Sequence, residues 1–401
     1  MVAVPQVRFL DRTTPPHIAT LILCSGISSL NQTIFLPSLA HMAEHFETSY
    51  AVMQIAVSGY LAMTAVLQVV VGSVADTLGR RPVMLGAIAI FVLATLAALV
   101  APTAGIFLAA RMAQSTVVAG IVLSRAVVRD TVGPTEAASK LGYITMGMAL
   151  IPMVGPMAGG ALDEAWNWRA SFLLLAVSGA LVLALVAADQ GETMGRRGEG
   201  LGAQLRQYPA LLGSRRFWGY SLCSAFASGA FFALLGGAAF VAERLFGLTP
   251  LWTGIALGSP SIGYVAGNYL SGRYSMRVGI DRMAAWGCVV AAAGLGASLL
   301  LTLAGLSHPL LFFGFCLALG LGNGMTLPNA MAGSISVRPD LAGTASGLSG
   351  AIMTAGGAAL SMLAASVLTV ETGPWPLQAL MAGSAALAGF SLLLVRGTSE
   401  G

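Results

Sequence analysis

Twelve apolar stretches, each close to or above the roughly 20 residues a helix needs to cross a bilayer core, leave this chain few folds to choose from. With soft boundaries they cover 17–39, 51–74, 83–101, 104–126, 138–162, 169–188, 217–242, 252–272, 283–304, 309–333, 343–367 and 375–395. The runs are continuous rather than alternating, which predicts helices and not a barrel. Several are long and carry Gly or Pro, which predicts tilting or kinking. Only 9% of the 401 residues are charged, against about 25% in a soluble domain. A soluble two-domain enzyme is excluded, and lipid is the solvent for most of the surface.

Lys and Arg set the orientation. With a cytoplasmic N-terminus, the inner segments collect Arg8, Arg12, Arg80, Arg81, Arg129, Lys140, Arg196, Arg197, Arg206, Arg215, Arg216, Arg273, Arg277, Arg282, Arg338 and Arg396, while the outer side keeps Arg169 and Arg244. Both termini are expected in the cytoplasm. The arginines sit in short loops without interleaved aromatics, so nucleic acid is not an expected partner. Cys24, Cys223, Cys288 and Cys316 lie inside apolar runs with no CxxC spacing and read as small packing residues. His17, His41, His45 and His308 lie at span ends or in outer loops, so neither a metal nor a cofactor is expected.

Residues 189–216 form the longest hydrophilic stretch and divide six spans from six. The expected organisation is a first bundle over 1–188, a cytoplasmic linker over 189–216 with a flexible first half, and a second bundle over 217–401. An internal repeat supports that division. The joint Gly72-x-x-x-Asp76-x-x-Gly79-Arg80-Arg81-Pro82 between the second and third spans returns, worn, as Gly272 and Gly279 followed by Asp281-Arg282, with Met276 in place of the acid. Two six-helix halves related in this way are a transporter architecture, with the substrate cavity between them near the midplane.

The joint matches the inner-loop signature of the major facilitator superfamily. Arg111-Met-Ala-Gln114 resembles that superfamily's fourth-helix signature, and Pro152-x-x-Gly155-Pro156-x-x-Gly159-Gly160 resembles the fifth-helix signature of its antiporters. Ser124-Arg125-x-x-x-Arg129-Asp130, Trp168-Arg169-x-x-Phe172 and Ala342-Gly343-Thr344-Ala345-Ser346 are similar to segments of the Bcr/CflA group of drug:proton antiporters. The ordered set covers nearly the whole chain. It implies an all-α membrane protein with the major facilitator fold, twelve transmembrane helices in two six-helix halves.

The resemblance also implies roles. Asp76, with Gly72, Gly79, Arg80, Arg81, Arg125, Arg129 and Asp130, belongs to an inner gate whose further partner is the start of the eleventh span near Leu341. The alternative is an anchoring turn in which the glycines only permit close backbone approach. Arg111 is the one charge placed deep in a span, roughly 10 Å from the outer end at 1.5 Å per residue, with Gln114 on its face. It binds substrate, couples to proton movement, or clamps helices through carbonyls of the first span. Pro152, Gly155, Pro156, Gly159 and Gly160 form either a leak-sealing kink between the halves or ordinary small-residue packing. Thr33 stands where the Bcr/CflA pattern has an acid, so no carboxylate is left deep in any span; Asp76, Glu243 and Asp163, all near span ends, are the remaining candidates for proton transfer. Asn31, Gln32, Thr33, Tyr143, Phe231, Phe232 and Asn323 are the expected cavity lining.

The reading is a monomeric bacterial inner-membrane efflux transporter, not an enzyme. It moves small amphipathic drug- or antibiotic-type substrates by alternating access in antiport with protons. The alternative is a transporter of a specific neutral or anionic metabolite without proton coupling through the first helix.

Overall fold

The computed structural model describes residues 7–132, 140, 144, 151, 154–194, 208–338 and 341–395, and among these no strand occurs. The spans are helices: Ile18–His45, Tyr50–Leu78, Arg80–Leu99, Ala104–Thr131, Arg169–Asp189, Arg215–Leu245, Ile280–Leu303, Pro309–Ser336, Gly343–Val367 and Trp375–Leu394, together with the less apolar eighth, Pro250–Val278. Residues 154–165 are the continuous described helix of the fifth. Most helices overrun the apolar windows by several residues. Hydropathy reads only the hydrocarbon core, whereas the helix continues through the polar headgroup zone.

Several described spans change helix type, and two of them do so beside Arg111 and its partners. The first changes to a 3₁₀ turn at Leu36–Ser38, where Pro37 removes a backbone donor. The fourth tightens to 3₁₀ over Gln114–Val118, directly after Arg111. Between these two spans hydroxyls substitute for apolar packing: Ser28 Oγ donates to the Val117 carbonyl at 2.5 Å and Ser124 Oγ to the Leu21 carbonyl at 3.2 Å. A β-carbon at Gly120 would overlap the Cys24 carbonyl, so the helices approach backbone to backbone, the usual device where lipid supplies no hydrophobic drive between helices.

The second and eleventh spans pack along each other, and the eighth span meets the 3₁₀ turn of the first. The repeated joints share one geometry. Gly79 has φ +106° and Gly279 φ +92°, each ending one helix and starting the next. Only glycine takes this conformation without strain.

The start of the connecting segment departs from the expected flexible tether. The buried Asp189 carboxylate accepts from Leu10 N at 2.7 Å, His17 N at 2.8 Å and Thr20 Oγ1 at 2.6 Å. Glu192 accepts from the backbone N–H of Arg80 at 2.9 Å and of Arg81 at 3.2 Å. Residues 189–194 are therefore tied to the first helix and to the Gly79 joint. The acids that make this stretch hydrophilic are the groups that tie it down.

Candidate functional site

A cavity of about 750 Å³ lies between the halves. Its deeper wall holds Ser28, Ser29, Gln32, Tyr60, Thr64 and Phe232, and its inner rim holds Asp76, Arg80, Arg125, Arg129, Gly343 and Thr344. Tyr60, Thr64, Gln68, Gly72 and Asp76 follow each other at intervals of four and form one stripe down the second span. From the facing eleventh span, Thr354 Oγ1 donates to Gln68 Oε1 at 3.2 Å. Met331 and Met353 complete a lining that mixes hydroxyls, amides, two aromatic rings and thioethers. Such a surface adapts to varied amphipathic shapes.

At the rim, Asp76 Oδ1 pairs with Arg80 Nη2 at 2.6 Å and Asp130 Oδ2 with Arg80 Nε at 3.0 Å. Asp76 thus takes its recorded ion pair from Arg80, one turn ahead, rather than from Arg125 or Arg129. Arg81 turns the other way and donates to the Gln190 carbonyl at 2.7 Å and the Ala187 carbonyl at 3.0 Å. Gly343 faces Arg129: a β-carbon there would come 3.4 Å from Arg129 Nη1. In the second joint Met276 is 97% exposed, and Asp281 accepts from the Tyr220 hydroxyl at 2.7 Å.

Arg111 does not reach the cavity. It is fully buried, with Nη1 donating to Asn31 Oδ1 at 2.7 Å and to Gln114 Oε1, and Nη2 donating to the Asn31 carbonyl at 3.0 Å. Its guanidinium lies 4.2 Å from the Phe35 ring centroid and 4.4 Å from that of Tyr60. Gln114 Nε2 passes the network on to Thr95 Oγ1 at 2.8 Å. One cation thereby fastens the first four spans. Two ring faces and three oxygen acceptors stand in for a counter-ion.

The outer ends of the halves are shut against each other. β-Carbons at Gly160 and Gly254 would overlap the carbonyls of Pro250 and Pro156, so the fifth and eighth spans cross there in backbone contact. Arg244 Nη2 meets Glu44 Oε1 at 2.6 Å, and Leu251 N donates to Glu164 Oε1 at 3.1 Å. Hydrogen bonds from the Thr249 hydroxyl and the Leu251 amide hold Glu164 below the usual carboxylate range. The Tyr50 and Phe240 rings pack at 5.4 Å. Gly155 and Gly159 instead serve the first span: β-carbons there would strike Thr33 Oγ1, at 2.7 Å, and the Ile34 carbonyl.

Of the expected lining, Gln32 and Phe232 face the cavity. Asn31 is consumed by Arg111, and Thr33 is buried against Gly155. Asn323 is buried and Phe231 packs beside Phe232, and neither is among the lining residues. Tyr143 and Pro152 lie outside the described residues. The expected lining lies on spans one, five, seven and ten. It misses the stripe on the second span and its partner on the eleventh, although the four-residue spacing of Tyr60, Thr64 and Gln68 marks it. Among the described residues no group of three or more His, Cys, Asp or Glu gathers as a metal site.

A family model described as Major Facilitator Superfamily matches residues 21–361. The chain is 30% identical over 381 residues to multidrug resistance protein D of Escherichia coli, covering 90% of this chain and 91% of that protein. It is 26% identical over 374 residues to the bicyclomycin resistance protein homolog of Haemophilus influenzae, covering 91% and 92%. Its fold is similar to the crystal structure of peptide transporter POT in complex with sulfate, with a TM-score of 0.75 at 16% identity, over 98% of this chain and 96% of that one.

Proposed function

The chain belongs to the Major Facilitator Superfamily, and from that premise we propose that it exports small amphipathic drug-type compounds across a bacterial inner membrane in exchange for protons. The observation that carries the reading is the cavity. It lies between two halves that are shut at their outer ends, and its lining continues to the inner rim at Asp76 and Arg129. A substrate entering from the inner side reaches Gln32, Tyr60 and Phe232, and leaves when the halves rock and the outer contacts part. The halves are residues 1–188 and 217–401, joined by 189–216, and the protein works as a monomer.

The rim is the gate of the same cycle. With the outer face shut, Asp76 rests on Arg80, which also holds Asp130. As the inner ends close, the start of the eleventh span moves onto Asp76, beside Arg129 and Gly343. Arg111 is a helix clamp in this scheme. The relatives' names speak of resistance to several drugs and to bicyclomycin. The test is the susceptibility of a pump-deficient bacterium expressing this chain or its Gln68→Ala/Phe232→Ala variant. Raised resistance with the chain, altered in drug profile by the variant, supports the reading. Equal susceptibility with and without the chain across chemically varied drugs removes it.

One observation favours a second reading, an exporter, importer or facilitator of a specific anionic metabolite. The charged residues lining the cavity are Arg80, Arg125 and Arg129 against Asp76 alone, and the first span offers Thr33 rather than an acid. High-affinity transport of a permanently cationic dye counts against it.

A further inference from the structure

We propose that the outer seam between the halves is a proton-binding site, with Glu243 carrying the proton while the seam is shut; the proposal rests on the proton-driven reading above. Four carboxylates meet at this seam, and three of them have a donor. Glu44 receives Arg244 Nη2 at 2.6 Å, Asp163 is bonded to His41 Nδ1 at 2.7 Å, and Glu164 accepts from Leu251 N at 3.1 Å. Glu243 differs. Its Oε1 is buried and has no hydrogen-bond partner among the described residues.

The charged and titratable groups facing Glu243 come from every neighbouring element. Asp163 approaches from the end of the fifth span, and Glu44 from the end of the first. The Tyr50 hydroxyl, itself buried without a hydrogen-bond partner, approaches from the start of the second. Arg244, its chain neighbour, commits its guanidinium to Glu44. His41 reaches Asp163, whose side chain is only 1% exposed. The Tyr50 hydroxyl is the one buried donor facing Glu243 that has no partner of its own, and the Asp163 charge repels a Glu243 carboxylate. With Oε1 buried without a donor and the Asp163 charge close by, the half-buried anion costs more than the neutral carboxylic acid in the same place.

The shut seam therefore holds Glu243 as the neutral acid. When the halves part, water reaches the group, the neighbouring acid moves off, and the carboxyl ionises at neutral pH. Closing the outer face then takes one proton from external water onto the Glu243 carboxylate. External acid resets the carrier to the outer-shut form after substrate has left. The proton leaves to the outside on opening and returns from the outside on closing, so the site makes the outer gate respond to external pH, with residues from both halves, and carries no net proton across the membrane.

The experiment uses the full chain in nanodiscs with spin labels at Glu47→Cys in the first half and Ser307→Cys in the second, both exposed sites. The native cysteines are buried. The outer distance is measured from about pH 5 to about pH 9. The short, outer-shut distance should dominate in acid, and the open-to-shut ratio should rise by about tenfold per pH unit through the transition, the signature of one proton. The isosteric Glu243→Gln variant should stay shut throughout. Asp163→Asn should lower the open fraction at alkaline pH, because without the Asp163 charge the shut seam tolerates ionised Glu243 more readily; an unchanged or higher open fraction contradicts the proposed repulsion. A wild-type distance that ignores pH, or a Glu243→Gln variant that keeps the wild-type slope, overturns the proposal. If the distance follows pH while efflux from proteoliposomes ignores a pH gradient, proton-driven exchange fails and the site stands.

Discussion

Arg111 Nη1 donates to Asn31 Oδ1 at 2.7 Å, with both residues fully buried, and this bond ties the fourth span to the first. Truncation at Arg111 strands several oxygens at once: the Asn31 amide and carbonyl and Gln114 Oε1 all lose their donor. Arg111→Ala should lower stability by about 3 kcal/mol, the scale expected when buried acceptors are left unpaired. Arg111→Lys should recover little, because an ammonium cannot reproduce the planar fork. Midpoints of SDS-induced unfolding of the purified protein measure both effects.

Asp76 and Arg80 pair at 2.6 Å where the Asp76 side chain is 38% exposed. An exposed pair contributes less than about 1 kcal/mol to stability. Asp76→Asn should therefore leave the unfolding midpoint nearly unchanged while abolishing most of the resistance the chain confers. The two measurements together separate a gate from an anchoring turn, since a purely anchoring role predicts that both stay near wild type.

Glu192 closes the N-terminus of the third helix by accepting from the Arg80 and Arg81 amides. Its charge also suits the positive end of the helix dipole. In Glu192→Gln the two amides should exchange hydrogen about two- to fivefold faster, while amides in the middle of Arg80–Leu99 should not change. Hydrogen exchange resolved at these residues is the check.

Several of these features were legible in the sequence, and the reasons others were not are physical. Arg111 stood out because a charge inside an apolar run has no cheap alternative environment. Its aromatic partners Phe35 and Tyr60 did not, because ring stacking depends on how three helices meet. The span count was legible, whereas the helix ends were not, since polar end turns remain helical outside the hydrocarbon. Asp189 and Glu192 read as solvated linker acids because their partners are mostly backbone N–H groups, which every residue except proline has. The Gly155–Gly160 cluster announced close approach. Which helix each glycine admits is set by its angular position: Gly155 and Gly159, four apart, face the first span, while Gly160 turns to the eighth.

That last division yields a prediction about the cycle. Gly160 lets the fifth span touch the eighth across the halves, a contact that the proposed rocking would part, whereas Gly155 and Gly159 sit within the first half. Gly160→Leu should therefore impede outer closure without unfolding the first bundle. Thr253, fully buried at the start of the eighth span, serves as the reporter. In a Thr253→Cys background, Gly160→Leu should make the thiol reactive to a membrane-impermeant maleimide added outside intact cells, and resistance should be lost. Gly159→Leu should instead reduce the amount of folded protein, because its β-carbon would strike the Ile34 carbonyl in every state of the cycle. Equal folding loss in both variants would show that Gly160 is ordinary packing and not part of a moving contact.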